Sequence, residues 1–286
     1  MTDGKALNRT VLKARPLPPV VDGDKDSKGR LLVVAGSRSV PGATLLTATA
    51  GMRAGAGKLC IATVECAAVP LGIAMPEAMV IGLAQAERGG FAASAVPRLA
   101  DLAEESDGII AGPGMEANGI GAPLAQALLQ SDARLALDAA LLHELEPAAT
   151  PRSNAPVLLP HAGELASLLE LDEEAVERDP IGCGLRAADR YKSIVLVKGV
   201  ISHVVTPDGD VWTYKGGAPG LGVSGSGDVL AGIVGGLLAR GAEPLNALLW
   251  SVWVHGEAGA RLAKKVGPLG FLARELANEI PALLPA

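Results

Sequence analysis

The chain has 286 residues, of which 49% are hydrophobic and 2% aromatic, and a formal net charge of −6. This acidic balance argues against a nucleic-acid-binding protein, which needs a basic surface, and no local run of Lys and Arg supplies one. The length suits one large α/β domain or two small ones. Because aromatic residues are so few, the core must be built from Leu, Val, Ile and Ala.

The first 29 residues predict an N-terminal arm with one short helix. They contain three prolines, Pro16, Pro18 and Pro19, followed by the charged segment DGDKDSKG. The N-terminus lacks the apolar core of a signal peptide, and no span of about 18 purely apolar residues occurs, so we expect a cytoplasmic protein without a membrane segment. The three cysteines have neither CxxC spacing nor metal-ligand spacing with the four histidines, which indicates free thiols and no metal site.

From residue 30 onward, short apolar runs alternate with helical segments, and no change of composition divides the chain. We therefore predict one domain over residues 30–286, after the arm at 1–29. Alternating strands and helices are typical of an α/β fold with a mostly parallel central sheet and helices on both faces. The predicted strands are residues 30–36, 58–63, 77–83, 107–111, 134–138, 156–159 and 193–198, with a hairpin over 201–206 and 211–214. The predicted helices are residues 43–54, 92–105, 119–129, a helix ending at 169, 180–191, 227–240, 244–265 and 269–280.

Several predicted strands are followed by loops that carry glycines or polar side chains able to bind a ligand. On a parallel sheet, ligands bind at the carboxyl ends of the strands. We therefore expect these loops to form one site. They are Gly36-Ser37, Gly112-Pro113-Gly114, Asp138, Pro160-His161 and Lys198-Gly199.

The segment from 216 to 239 combines a glycine-dense loop with a long apolar helix. Backbone N–H groups at a helix start have no intrahelical partner, and the helix dipole favours negative charge there. Gly225, Ser226 and Gly227 are therefore a candidate anion hole. Asp228, in the first turn, could accept a proton from a hydroxyl that attacks a terminal phosphate. The structural alternative is a tight turn in which Asp228 only caps the helix.

Other polar residues have two interpretations each. Lys198 could meet a phosphate or be an ordinary surface lysine. His161 and Glu164, three apart at a helix start, could face a substrate or cap the helix. Asp138 could orient a ribose hydroxyl, a water or Mg²⁺, or cap a helix. Three further histidines are interpreted as structural: His143, His203 and His255. The sequence contains no GxxxxGK[ST], GxSxG or HExxH motif.

Eight segments of the chain form a pattern in their order and spacing. They are VVAGSRSVPGAT (33–44), MRAGAGKLCIAT (52–63), AMPEAMV (74–80), IIAGPGM (109–115), LALDAALL (135–142), LLPHAGELASLL (158–169), VLVKGVISHVV (195–205) and GLGVSGSGDVLAGIVGGLLARG (220–241). Together they resemble the ADP/ATP-dependent NAD(P)H-hydrate dehydratases, a carbohydrate-kinase-like family with the ribokinase-like fold. The resemblance covers nearly the whole chain from residue 29.

The resemblance implies a repair reaction. NADH or NADPH hydrated at C6 of the nicotinamide ring is phosphorylated by ADP or ATP, with Mg²⁺, and the phosphate is then eliminated. It further implies a homotetramer, a preference for ADP, and a separate NAD(P)H-hydrate epimerase as a candidate partner. By matching motifs, the hydrate contacts are Ala43, Gly114, His161 and Asp228, with Asp228 as the catalytic base. The nucleotide contacts are Lys198, Gly199, Val200, Ile201, Ser202 and Gly227.

The chain departs from the usual pattern of this family in several places. The loop at 222–228 reads GVSGSGD, where ATAGTGD or ATAGSGD is usual. Ala140 stands where Asp is common, which removes a carboxylate that could bind Mg²⁺. Leu159 and Ser202 stand where Thr is common. Two alternatives therefore stay open: a ribokinase-like kinase of a small alcohol or vitamin precursor, and a catalytically idle nucleotide-binding protein. The choices between ADP and ATP, and between the NADH and NADPH hydrates, also stay open.

Overall fold

The computed structural model describes residues 4–19 and 25–285. Within them, ten strands form one sheet: β1 (Lys5–Ala6), β2 (Arg30–Val34), β3 (Lys58–Val64), β4 (Ala78–Leu83), β5 (Gly108–Ala111), β6 (Arg134–Leu137), β7 (Val157–Leu158), β8 (Ile194–Val197), β9 (Ser202–Val205) and β10 (Val211–Tyr214). Their order across the sheet is β1-β10-β9-β8-β7-β6-β5-β2-β3-β4.

Helices cover both faces of this sheet. The α-helices among the described residues are α1 (Arg9–Lys13), α2 (Pro41–Arg53), α3 (Glu65–Ala74), α4 (Val96–Glu104), α5 (Gly121–Gln130), α6 (Ala162–Leu169), α7 (Glu173–Arg178), α8 (Pro180–Tyr191), α9 (Ser226–Ala239), α10 (Pro244–Lys265) and α11 (Ala273–Glu279). Short 3₁₀ turns cover Ala93–Ala95, Ala139–Leu142 and Pro219–Leu221. None of the helices in the described part of the chain has the length and apolar character needed to span a bilayer.

The strands from β8 through β7, β6, β5, β2 and β3 to β4 all run parallel to their neighbours. The strands β9 and β10 form an antiparallel hairpin, which pairs with β8 through Val205 and Val195. The prediction of a mostly parallel α/β sheet with one hairpin is therefore confirmed. The carboxyl ends of five neighbouring strands, β8, β7, β6, β5 and β2, lie along one edge.

The described part of the predicted N-terminal arm packs against the domain. Strand β1 extends the sheet by pairing in parallel with β10, so that Lys5 lies beside Trp212. The predicted short helix is α1, capped by the side chain of Asn8. Leu12 and Leu17 are buried in the core. The rest of the predicted arm, residues 1–3 and 20–24, lies outside the described residues.

The buried strands contribute side chains to two apolar layers, one on each face of the sheet, because successive side chains point to opposite faces. On β2, Leu31 and Val33 pack with α2, α9, α10 and α11, whereas Leu32 and Val34 pack with α3, α4, α5, α6 and α8. Because both faces of the sheet are covered, each strand is a continuous run of apolar residues in the sequence and does not alternate apolar with polar residues. This arrangement places α2 and α9 on the same face of the sheet.

Two helices are absent from the sequence-based prediction, α3 and α7. Helix α3 contains Pro70 and has apolar residues on nearly every side, so it shows no helical periodicity. Helix α7 has only six residues. The predicted helix at 92–105 begins later, at Val96, because residues 93–95 form a 3₁₀ turn.

Helices α2 and α9 approach closely through glycines. A Cβ at Gly232 would lie 2.2 Å from the carbonyl oxygen of Thr47, and one at Gly236 would lie 2.4 Å from that of Gly51. Only residues without side chains permit this separation. The start of α9 is thereby fixed beside the start of α2, which positions the site described next.

Candidate active site

The loops selected from the sequence lie at one edge of the sheet. They follow β2, β5, β6, β7 and β8, which are neighbours in the sheet and run parallel. The pairing of β7 with β8 continues past the ends of these strands, where His161 and Lys198 form an isolated parallel bridge. Helix α9 begins at the same edge, because Gly225 lies against Leu46 of α2, one turn after Ala43.

The start of α9 leaves backbone donors free. Gly225 is the N-cap, with a φ of 88° and no capping side chain. The N–H of Ser226 donates to the carbonyl of Val223 at 3.2 Å, whereas among the described residues nothing accepts from the N–H groups of Gly227 and Asp228. A Cβ at Gly227 would meet no atom within 4 Å. The helix start therefore faces open space with two unsatisfied donors, which suits an anion.

A cavity of about 680 Å³ opens at this helix start. Its volume lies in the usual range for a small-molecule site. The cavity brings together six residues selected from the sequence: Lys198, Gly199, Val200, Ser202, Ser226 and Gly227. Lys215, Gly216, Gly217 and His255 also line it, and sequence reasoning assigned no binding role to any of them.

Ile201 differs from its neighbours in the predicted nucleotide segment. Its side chain lines an adjacent cavity together with Ala6 and His203. Val200, in contrast, lies on the larger cavity and is 98% exposed. The turn between β8 and β9 therefore faces two cavities, and only its Lys198, Gly199, Val200 and Ser202 positions line the larger one.

Lys198 belongs to a buried ion cluster. Its Nζ lies 2.7 Å from Oδ1 of Asp138 and 3.7 Å from Oε2 of Glu164, and all three side chains are largely buried. Burial lowers the pKa of Lys198, but the charges of Asp138, Glu164 and Asp228 outweigh it, so the pKa is raised. Lys198 is thus a fixed cation at the end of β8 rather than a mobile surface lysine.

Asp228 is a half-buried carboxylate in the first turn of α9. Burial and the negative charge of Asp138 raise its pKa to about 6, while Lys198 acts in the opposite direction. A carboxylate with this pKa is mostly ionised at neutral pH yet basic enough to accept a proton. A carboxylate with the pKa of a possible general base therefore lies in the same helix turn as the N–H groups that have no partner among the described residues.

Asp138 also holds the local backbone. Its Oδ1 accepts the N–H of Ala139 at 2.9 Å as well as the Lys198 ammonium. Ala139 has a φ of 51°, which is rare for a residue with a side chain. Gly112, after β5, packs directly on the Asp138 backbone. Asp138 therefore caps the 3₁₀ turn at Ala139–Leu142, as one of its two sequence interpretations predicts, and it also pairs with Lys198, a contact that the sequence did not predict.

His161 caps helix α6 and still exposes its ring. Its Nδ1 accepts the N–H groups of Gly163 and Glu164 at 3.1 and 3.3 Å, and Glu164 accepts the N–H of His161 at 2.8 Å. Because Nδ1 accepts, the proton of the neutral ring is on Nε2. The side chain is 59% exposed. Nε2 itself lies 3.4 Å from Oε1 of Glu164, so its N–H faces that carboxylate while the ring keeps an exposed edge.

Ala43 and Gly114 lie against each other. A Cβ at Gly114, whose φ is 63°, would be 2.5 Å from Cβ of Ala43. The Ala43 side chain is buried, so this position can offer a ligand mainly its backbone at the start of α2. Leu159, one of the departures from the family pattern, is fully buried in the core and donates its N–H to Leu137. Its side chain therefore does not face the site.

Comparison with known proteins identifies the family. A family model described as NAD(P)H-hydrate dehydratase matches residues 31–282. The chain is 44% identical to the ADP-dependent (S)-NAD(P)H-hydrate dehydratase of Xanthomonas campestris pv. campestris, over 98% of this chain and 96% of that one. The chain belongs to the NAD(P)H-hydrate dehydratase family. The prediction made from the eight segments is confirmed.

Other family members agree in fold and sequence. The ADP/ATP-dependent NAD(P)H-hydrate dehydratase of Bacillus subtilis, co-crystallised with ATP and Mg²⁺, superimposes with a TM-score of 0.85 at 26% identity, over 99% of this chain and 98% of that one. The bifunctional NAD(P)H-hydrate repair enzyme of Moorella thermoacetica is 31% identical over 92% of this chain, which spans 50% of its length. The predicted ribokinase-like fold and hydro-lyase activity are confirmed, in preference to a small-alcohol kinase or an idle nucleotide-binding protein.

Proposed function

We propose that this family member returns (S)-NAD(P)H-hydrate to NAD(P)H with ADP as the phosphoryl donor, and that Asp228 is the catalytic base. The observation that carries the proposal is that, among the described residues, neither the Asp228 carboxylate nor the N–H groups of Gly227 and Asp228 beside it have a hydrogen-bond partner. ADP is preferred over ATP here because the Xanthomonas relative, which matches over nearly the full chain, is ADP-dependent.

The reaction has two stages. Asp228 accepts the proton of the C6 hydroxyl while the hydroxyl oxygen bonds to the terminal phosphorus, and the bond from that phosphorus to the oxygen bridging it to the rest of the nucleotide breaks. Loss of the phosphate from C6, and of a proton from the neighbouring ring carbon, then restores the ring double bond. The N–H groups of Gly227 and Asp228 stabilise the negative charge on the transferring group.

The large cavity holds the nucleotide. Gly199, Val200, Ser202 and Gly227 line it directly. Ile201 contributes only backbone to this binding, because its side chain lies on the adjacent cavity. Lys198 acts mainly as a fixed positive charge toward the phosphates. The hydrate lies on the other side of the α9 start, against Ala43, Gly114 and His161.

Mg²⁺ fits this site as an ion carried by the nucleotide. It usually keeps phosphate and water ligands and takes one or two carboxylates. The described residues contain no group of three side chains able to hold a metal, and Asp138 already pairs with Lys198. Phosphate oxygens and water would supply most of its ligands, and Asp138 is the carboxylate that would help to hold it. Bound there, Mg²⁺ would neutralise charge on the phosphates.

The finer predictions on assembly and location belong to the same proposal. Exposed apolar side chains on α3 and the edge strand β4 support self-association into the predicted homotetramer: Val69, Ile73 and Met79 are 72, 78 and 56% exposed. The bifunctional relative supports a separate epimerase as partner, since this chain spans only half of its length. A cytoplasmic location stays a prediction.

The decisive experiment uses the purified protein, hydrated NADH or hydrated NADPH, Mg²⁺, and either ADP or ATP. The return of the absorbance of the intact coenzyme is followed with time. Recovery that requires a nucleotide, and is faster with ADP, supports the proposal. Nucleotide binding without recovery on either hydrate would contradict it. Phosphorylation of a small alcohol in place of hydrate repair would point to the kinase alternative.

A further inference from the structure

Helices α9 and α10 meet at a histidine–serine contact that the proposed chemistry does not yet use. Ser226 is the first residue of α9, and His255 lies in the middle of α10. Nε2 of His255 is 3.0 Å from Oγ of Ser226 and 3.1 Å from its carbonyl oxygen. Both residues line the large cavity beside Gly227. The contact therefore lies at the helix start that binds the transferring group.

The carbonyl partner decides where the imidazole proton is. Burial lowers the pKa of His255 to about 4, so the ring is neutral at physiological pH and carries one N–H. A carbonyl oxygen can only accept a hydrogen bond. The proton is therefore on Nε2, which donates to the backbone of Ser226.

The same Nε2–H also faces the serine side chain. Because this nitrogen donates, the oxygen of Ser226 acts as an acceptor there, and the hydroxyl hydrogen must point elsewhere. No other protein group among residues 4–19 and 25–285 is hydrogen-bonded to this hydroxyl. The residue is 5% exposed, and the space it faces is the cavity. His255 thereby leaves the hydroxyl hydrogen of Ser226 free to point into the cavity.

We propose that the side-chain hydroxyl of Ser226 is a third donor of the anion hole, oriented by His255, and that it donates to the terminal phosphoryl group of the nucleotide during transfer. This inference rests on the proposed function and deepens it. Ser226 is a catalytic residue in this scheme, because it touches the reacting group. His255 is a positioning residue, because it acts through Ser226. Substitutions of Ser226 and of His255 should therefore both slow the phosphoryl-transfer step.

The test is a double-mutant cycle with Ser226→Ala and His255→Phe. Loss of one anion-hole donor should lower kcat about 100- to 1,000-fold, with the KM for ADP changed little. His255→Phe should lower kcat less than Ser226→Ala does, and the double variant should be no slower than Ser226→Ala alone. Ser226→Thr keeps the hydroxyl and should restore most of the activity. The matched control is Ser251→Ala on α10, whose buried hydroxyl donates to Ala247 away from the cavity.

A second measurement does not depend on the hydrate. Binding of AMP with aluminium fluoride, a mimic of the transferring phosphoryl group, should weaken about 10-fold or more in Ser226→Ala, while ADP binding stays within about twofold. Multiplicative losses in kcat for the two single variants, or equal weakening of ADP and of the mimic, would overturn the inference. A wild-type protein that binds the mimic but repairs no hydrate would instead overturn the proposed function.

Discussion

Two helices begin at the same edge of the sheet and use their backbone donors in opposite ways. At the start of α6, His161 and Glu164 form a capping box that accepts the N–H groups of His161, Gly163 and Glu164. At the start of α9, Gly225 offers no capping side chain, and the N–H groups of Gly227 and Asp228 have no partner among the described residues. One helix start is closed by its own side chains and the other is open to a ligand.

The acidic residues of the two first turns differ in the same way. Glu164 accepts the N–H of His161 and lies 3.7 Å from Lys198, so its charge is used within the protein. The carboxylate of Asp228 forms no hydrogen bond or ion pair in the described part of the chain, and its pKa is raised to about 6. The closed helix start therefore helps to hold the cation Lys198 in place, and the open one carries the carboxylate that we propose as the base.

The largest effect is expected from Asp228→Asn. This change removes the base but keeps the backbone donors, so turnover should fall by about 10³-fold or more while ADP affinity stays nearly unchanged. The melting temperature should be unchanged or higher, since a carboxylate whose pKa is raised by burial costs stability when ionised. Hydrate turnover, isothermal titration with ADP and thermal melting measure the three quantities.

Asp208→Asn, in the exposed turn of the β9–β10 hairpin, is the matched control and should leave all three quantities as in the wild type. Loss of ADP affinity by Asp228→Asn, with folding intact, would show that this carboxylate serves binding rather than proton transfer.

A smaller effect is expected from alanine substitutions at two glycines of the α9 start, one of which should change ADP affinity and the other stability. A Cβ at Gly227 meets nothing within 4 Å, so Gly227→Ala should fold normally but occupy the space of the bound anion, lowering ADP affinity about 10-fold. At Gly225 a Cβ would lie 2.5 Å from Leu46 and the φ is 88°, so Gly225→Ala should mainly lower stability, by about 1–2 kcal/mol or more. Equal loss of stability in both variants would contradict this division.

The acid limb of the pH–rate profile tests the environment of Asp228. The base acts only when ionised, so kcat/KM should be constant at higher pH and fall about tenfold per unit below pH ~6. Asp138→Asn removes the negative charge that raises the pKa of Asp228, and should move this limb to lower pH. A limb that Asp138→Asn leaves in place would mean that another group titrates.

Much of the fold could be predicted because its signals are local. Helices α8 and α10 begin at Pro180 and Pro244, and their predicted bounds agree with the structure. The order of apolar runs also predicts the shared edge of the parallel strands. Strand β1 could not be predicted, since it has two residues and depends on backbone pairing with Trp212 and Thr213 far along the chain.

The sequence indicated which residues to consider for the site, but it could not indicate which of them are in contact. Gly225–Asp228 is recognisable from spacing alone, because consecutive residues form the helix start. The ion pair of Lys198 with Asp138 joins residues 60 positions apart, and His255 reaches Ser226 across 29 positions. Nothing in the local sequence of His255 distinguishes it from a core histidine. Tertiary packing therefore decides which polar residues serve the site.

The smallest effect concerns the closed helix start, where one residue is assigned both a cap and a substrate contact. Asn is a good N-cap, so His161→Asn should keep the stability of the wild type, whereas His161→Ala should lose about 1 kcal/mol. Both variants lack the Nε2–H and should raise the KM for the hydrate to a similar extent, with the KM for ADP unchanged. Thermal melting and the two KM values separate these roles. If His161→Asn restored the KM of the hydrate along with the stability, the histidine would act only as a cap, and α6 would contribute to catalysis solely by holding Glu164 beside Lys198.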